Sequence, residues 1–66
     1  MNKEKQEQLK AEISNKNTSL ERLETIVEET KTWVIQLMKA GANEKAYQLN
    51  AIYCKAKNKV DHILHK

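Results

Sequence analysis

Residues 18–40 read TSLERLETIVEETKTWVIQLMKA and run directly into the chain's single glycine, Gly41. Leu20, Leu23, Val27, Thr30, Val34 and Leu37 recur at alternating spacings of three and four, the period of one face of an α-helix. Gly41 suits the left-handed position just past a helix end, and Lys39 sits in the last turn, where the helix dipole favours a cation. The stretch therefore reads as one amphipathic helix that stops at Gly41, and the rest of the chain has to be placed against it.

Downstream, Asn43 is a good N-cap for a following helix with Glu44 in its first turn. A connection as short as Gly41-Ala42-Asn43 forces the two helices to lie antiparallel. The second helix is expected over residues 44–64. Ala46, Leu49, Tyr53, Ala56, Val60 and Ile63 form its apolar stripe, with Ile52 and Leu64 flanking. Small Ala46 and Ala56 alternate with larger residues, which lets the two helices approach closely.

Upstream, residues 1–17 are helix-compatible but polar, with Leu9, Ala11 and Ile13 the apolar positions beyond Met1. Such a segment gains little burial to offset helix nucleation, so its first residues are expected to fray. Two readings of the junction at SNKNTS (14–19) stay open. Ser, Asn and Thr compete for backbone hydrogen bonds and favour turns, and Thr18 with Glu21 fits a capping box, which together tip the reading toward a break near residues 15–18. Against this, Leu9, Ile13, Lys16 and Leu20 keep the heptad phase of the central helix, as an unbroken helix would. The expected fold is thus all-α: one small domain made of an antiparallel helical hairpin (18–40 and 44–64) with an N-terminal helical segment (1–17).

Composition bounds the rest. Sixty-six residues make one small domain, and a chain of this size buries only about 60% of its unfolded surface. Small domains make up the difference with disulfides, a metal or oligomerisation. With one cysteine, Cys54, neither an intrachain disulfide nor a paired-cysteine zinc site can form, so oligomerisation, as a homodimeric helical bundle, is the expected remedy. No apolar run approaches a membrane span and the N-terminus carries no secretory h-region, so the expected setting is cytoplasmic, with no membrane. Eleven lysines against one arginine hint at an AT-rich coding source such as a low-GC bacterium or its phage.

Three groups of residues carry functional readings. Trp33, Val34, Ile35, Leu37 and Met38 cover far more of the helix wheel than the roughly 100° stripe that one partner helix buries. One antiparallel neighbour cannot cover them all, so the N-terminal segment folding back, a second copy of the chain or a foreign partner has to, and the five are expected to form a protein interface. The net charge of +3 sits wholly in residues 43–66, where five lysines face two acids. Its functional reading is a phosphate-contacting face of Lys55, Lys57, Lys59 and Lys66 with Tyr47 as a stacking group. Its ordinary reading pairs the lysines across the hairpin: folding about residues 41–42 sets Glu28 against Lys55, Glu24 against Lys59 and Glu21 against His62, which sets register more than it adds stability. Cys54, Asp61 and His65 share one face with His62 beside them, but they span too many turns to close around an ion alone, so no metal site is expected. No nucleophile, acid–base pair or cofactor motif is present, and neither catalysis nor a cofactor is expected.

Two resemblances bear on geometry. LMKAGANEKAYQLNAIY (37–53) resembles the helix-turn-helix centre of a tetratricopeptide unit at Gly41, Ala42 and Ala46, but Asn50 stands where that family has a large aromatic. It implies a hairpin and no more, because one repeat cannot stack into a solenoid. The overall plan, a short charged helical hairpin with heptads, is similar to that of the Rop family of plasmid copy-number regulators, RNA-binding dimeric four-helix bundles, although no residue motif of that family is matched.

The reading reached is a non-enzymatic, homodimeric protein-interaction module acting as a regulator, inhibitor or adaptor. The alternative is a nucleic-acid-binding regulator using the lysine-rich last helix.

Overall fold

The structure, a computed structural model, describes residues 3–65. Three helices make up the fold: α1 (Lys3–Ser14), α2 (Leu20–Lys39) and α3 (Asn43–Leu64). No strand occurs among the described residues. The hairpin of α2 and α3 is the main body, and α1 packs more lightly, chiefly on α3.

The first helix ends where the junction's side chains take over its backbone groups. The Asn17 amide donates to Asn15 Oδ1 at 2.9 Å, an Asx turn, and the Thr18 hydroxyl donates to the Glu12 carbonyl at 2.6 Å. The heptad phase thus survives a real reversal of the chain. The expected capping box at Thr18 and Glu21 is displaced by one residue: Ser19 is the N-cap of α2, and its Oγ accepts from the Arg22 amide at 3.1 Å. Thr18 is not free to cap, because its hydroxyl is already used on α1.

The second junction is a Schellman turn. Gly41 has φ +79°, its amide donates to the Met38 carbonyl at 3.1 Å, and the Ala42 amide donates to the Leu37 carbonyl at 2.9 Å. This brings α3 in early. Asn43 is its first helical residue, and Ala42 holds the N-cap position with no side-chain hydrogen bond, so the expected Asn43 cap is not formed.

The core joins all three helices. Leu9 and Ile13 of α1 meet Leu23 and Ile26 of α2 and Leu49, Ile52, Ala56 and Val60 of α3. Here the expected stripe on α3 is corrected at two places. Ile52, not Tyr53, is fully buried, because α1 adds a second neighbour on the Ile52 side; Tyr53 is half-buried. Ile63, in the last turn of α3, is exposed. The one buried polar residue among those described, Thr30, satisfies its hydroxyl within its own helix by donating to the Ile26 carbonyl at 2.8 Å.

Candidate protein and nucleic-acid interfaces

The five residues expected at a protein interface divide by helical phase. Val34 and Leu37 point into the hairpin and pack half-buried on the core, whereas Trp33, Ile35 and Met38 are 40%, 44% and 60% exposed. Trp33 and Met38 lie on opposite edges of that core stripe, roughly 140° apart at 3.6 residues per turn. The belt is therefore two surfaces rather than one.

Trp33 stands on the side that α1 covers. Ile26, two turns earlier on the same line of α2, is fully buried. The cover fails at Trp33 because α1 is polar from Lys3 to Gln8 and has no apolar side chain there to lay against the indole. Met38 stands on the other side of the hairpin, where no third helix lies. There Val34, Met38, Ala46 and Tyr47 line a shallow groove of about 410 Å³, and Leu20 and Val27 are only half-buried farther along α2.

The expected charge pairing across the hairpin is not formed. No ion pair joins Glu21, Glu24 or Glu28 to Lys55, Lys59 or His62. Lys59 points away from α2 toward the end of α1, where its Nζ donates to the Ile13 carbonyl and, at 3.2 Å, to that of Asn15. A cation over the last carbonyls of a helix is favoured by the dipole, so Lys59 acts as a cap for α1. Lys57 is the lysine that faces the acidic row, in a groove shared with Glu24, Glu28 and Asp61. The register assumed from a fold about residues 41–42 is rotated because Ile52, and with it Lys55 and Lys59, turns toward α1.

These placements also sort the candidate phosphate contacts. Lys59 is spent on the α1 cap, Lys57 stands among carboxylates, and Lys66 lies outside the described residues. Lys55 and Tyr47 come together in a wide cleft of about 740 Å³ between α1 and α3, with Lys3 and Lys10 on one wall and Lys45 on the other. Lys45 is legible beside Tyr47 in the sequence, but Lys3 and Lys10 of α1 are not, because the cleft joins two helices that no periodicity relates.

One polar contact was not foreseen. Arg22 holds Glu12 through a forked pair, Nε donating to Oε2 at 2.6 Å and Nη2 to Oε1 at 3.0 Å, and its Nη1 lies 4.0 Å from Glu29. The hydrogen bond from Arg22 holds the Glu12 carboxyl below its ordinary value, and the same bond raises the already high value of Arg22. Its signal in the sequence is faint: the single arginine among eleven lysines, in the first turn after a junction.

Cys54 is exposed and unpaired, and among the described residues no group of three His, Cys, Asp or Glu could hold a metal ion. No helix of the described residues is long and apolar enough to cross a membrane. No protein-family model matches the chain, and no curated protein or solved structure matches it either.

Proposed function

We propose that this chain is a non-enzymatic interaction module of the cytoplasm that pairs with a second copy of itself and presents the surface around Trp33 to a protein partner. The observation that supports it is the one-sided cover of the hairpin. On the side of α1, Leu23, Ile26 and Thr30 are buried; on the other, Leu20, Val27 and Val34 are half-covered and Met38 is largely exposed. A second copy laid along the open side would complete a bundle and bury Met38, at about 1.5–3 kcal/mol for a side chain of that size. Trp33 would then remain on the opposite side, and tryptophan is among the residues most enriched where partners bind tightly.

Mass in solution across a dilution series tests the pairing. The wild type is expected to dimerise and Met38→Glu to be monomeric. Trp33→Ala is expected to keep the dimer but lose the protein partner captured from the native host. A wild type that is monomeric at every concentration would overturn the pairing.

A further inference from the structure

The cleft between α1 and α3 has a charge that the core does not require. Lys3, Lys10, Lys45 and Lys55 line it with one carboxylate, Glu7. Glu7 is taken by Lys10, whose Nζ lies 3.6 Å from Glu7 Oε1. Lys3, Lys45 and Lys55 are left without an acidic partner among the described residues. Four lysines against one glutamate give the cleft an excess of three, as large as the formal net charge of the whole chain. Other lysines of the chain are handled differently: Lys57 faces Glu24, Glu28 and Asp61, and Lys59 caps α1.

At the edge of the cleft stands Tyr47, 80% exposed, the most exposed large apolar side chain among the described residues. Its ring belongs to neither the core nor an intramolecular hydrogen bond. An exposed aromatic beside a row of unpaired cations is the arrangement on which single-stranded nucleic acids bind, the bases stacking on the ring and the backbone following the charge. Lys45 and Lys55 are ten residues apart on one helix, about 15 Å along its axis, which spans a few nucleotides of an extended strand. A duplex keeps its bases stacked and offers Tyr47 nothing to stack on. An acidic peptide would use the lysines and leave the tyrosine idle.

We infer that the α1–α3 cleft is a binding site for single-stranded nucleic acid, with Lys3, Lys45 and Lys55 contacting phosphates and Tyr47 stacking on a base. The lysines lie away from the Met38 side of the hairpin, whereas Tyr47 stands between the two and also lines the groove beside Met38. It also relocates the phosphate face expected from the sequence, since Lys57 and Lys59 take no part.

Fluorescence anisotropy of labelled oligo-U and oligo-dT against the full-length protein tests this. The wild type is expected to bind at low salt, with log affinity falling against log salt at a slope of about −2, from three contacts at ~0.7 each. Lys45→Glu/Lys55→Glu is expected to lower affinity by at least about tenfold through loss and reversal of phosphate contacts. Tyr47→Ala is expected to lower it about fivefold or more through loss of stacking. Lys57→Glu, which changes net charge in the same direction on the other side, is expected to leave affinity within about twofold, because the exposed charge is separated from the site by the hairpin and screened. These variants alter exposed side chains, and circular dichroism with solution mass verifies that each keeps the fold. Unequal affinity for oligo-U and oligo-dT would say which sugar the site prefers, and either preference supports the proposal. No binding by the wild type at low salt overturns it. So does an equal loss with Lys57→Glu, which would mean diffuse charge, or full affinity in Tyr47→Ala, which would leave a surface suited to any polyanion, an acidic protein included.

Discussion

Arg22 and Glu12 close a two-bond fork across the junction of α1 and α2, with 2.6 Å between Nε and Oε2 and 3.0 Å between Nη2 and Oε1. The planar guanidinium matches a carboxylate in a way that a lysine ammonium cannot. The fork ties the last turn of α1 to the first turn of α2, the two segments that the Asx turn at Asn15 has just reversed. Together with Lys59 over the Ile13 carbonyl, it fixes the short helix at its C-terminal end, next to its buried Leu9 and Ile13.

The fork makes the docking of α1 sensitive to acid. Glu12 is held below the ordinary glutamate value of 4.5, chiefly by its hydrogen bond from Arg22. A depressed carboxylate contributes stability that is complete above the unfolded value and is lost as pH falls through the folded one. The contribution is therefore expected to be constant at neutral pH, to begin fading near pH 4.5 and to vanish below the depressed value. Both side chains are more than a third exposed, so its size is at most about 1 kcal/mol. Urea unfolding midpoints of wild type and Glu12→Gln are expected to differ at neutral pH and to converge in acid. A gap that stays constant to low pH would rule out the fork as its source.

Replacing Lys59 tests the α1 cap. Lys59→Met keeps the apolar stem and removes the donor to the Ile13 and Asn15 carbonyls. A loss of roughly 0.5–1.5 kcal/mol is expected, as for a hydrogen bond whose acceptors can still reach water. Amide exchange is expected to accelerate in α1 more than in α2 or α3. If all three helices exchange faster by the same factor, Lys59 is not a local cap.

Gly41 is a backbone requirement with no packing component. Its φ of +79° lies in the left-handed region, and a Cβ built there would meet nothing within 4 Å. Gly41→Ala is accordingly expected to cost about 1–2 kcal/mol from the backbone alone. Gly41→Asn is expected to cost less, since asparagine tolerates that conformation. Thermal unfolding of the two variants gives the ranking, and equal stability of Ala and Gly would refute the Schellman assignment.

How far these features could be read in the sequence depended on whether they were local. The glycine stop, the hairpin and the burial of Leu23, Leu49, Ala56 and Val60 follow from spacing along single helices. The face of α3 that receives α1 does not, because period alone says which residues share a side and not which neighbour arrives there. Spacing alone therefore sets Lys55 and Lys59 against Glu28 and Glu24, whereas in the fold Ile52 turns that side toward α1. The heptad phase from Leu9 through Leu20 does not argue against the break near residues 15–18, for a related reason. Leu9 and Ile13 must be buried whether the chain continues or turns back, and both routes end in the same core. Trp33 and Met38, grouped by sequence into one belt, separate once the half-buried Val34 and Leu37 are seen between them.

The last prediction concerns Thr30, a hydroxyl placed at full burial in the middle of α2. Its Oγ1 donates to the Ile26 carbonyl at 2.8 Å and lies 3.2 Å from that of Val27. Both carbonyls belong to the interior of a helix whose own amides serve them, so the hydroxyl is there to satisfy itself. Back-bonding of this kind weakens a helix slightly and bends it. Thr30→Val retains the shape and replaces the hydroxyl with a methyl among Ile26 and its core neighbours. Stability is expected to rise by up to about 1 kcal/mol, since no acceptor is left unpaired and apolar burial increases. Thr30→Ser keeps the hydrogen bond but removes a buried methyl, and a fall of about 1 kcal/mol is expected from the void. Urea midpoints ordered Val, Thr, Ser would mean that the methyl group, and not the hydroxyl, holds this position in the core. A Val variant less stable than both Thr and Ser would mean that the hydroxyl bond to Ile26 contributes more than burial at this point of the hairpin.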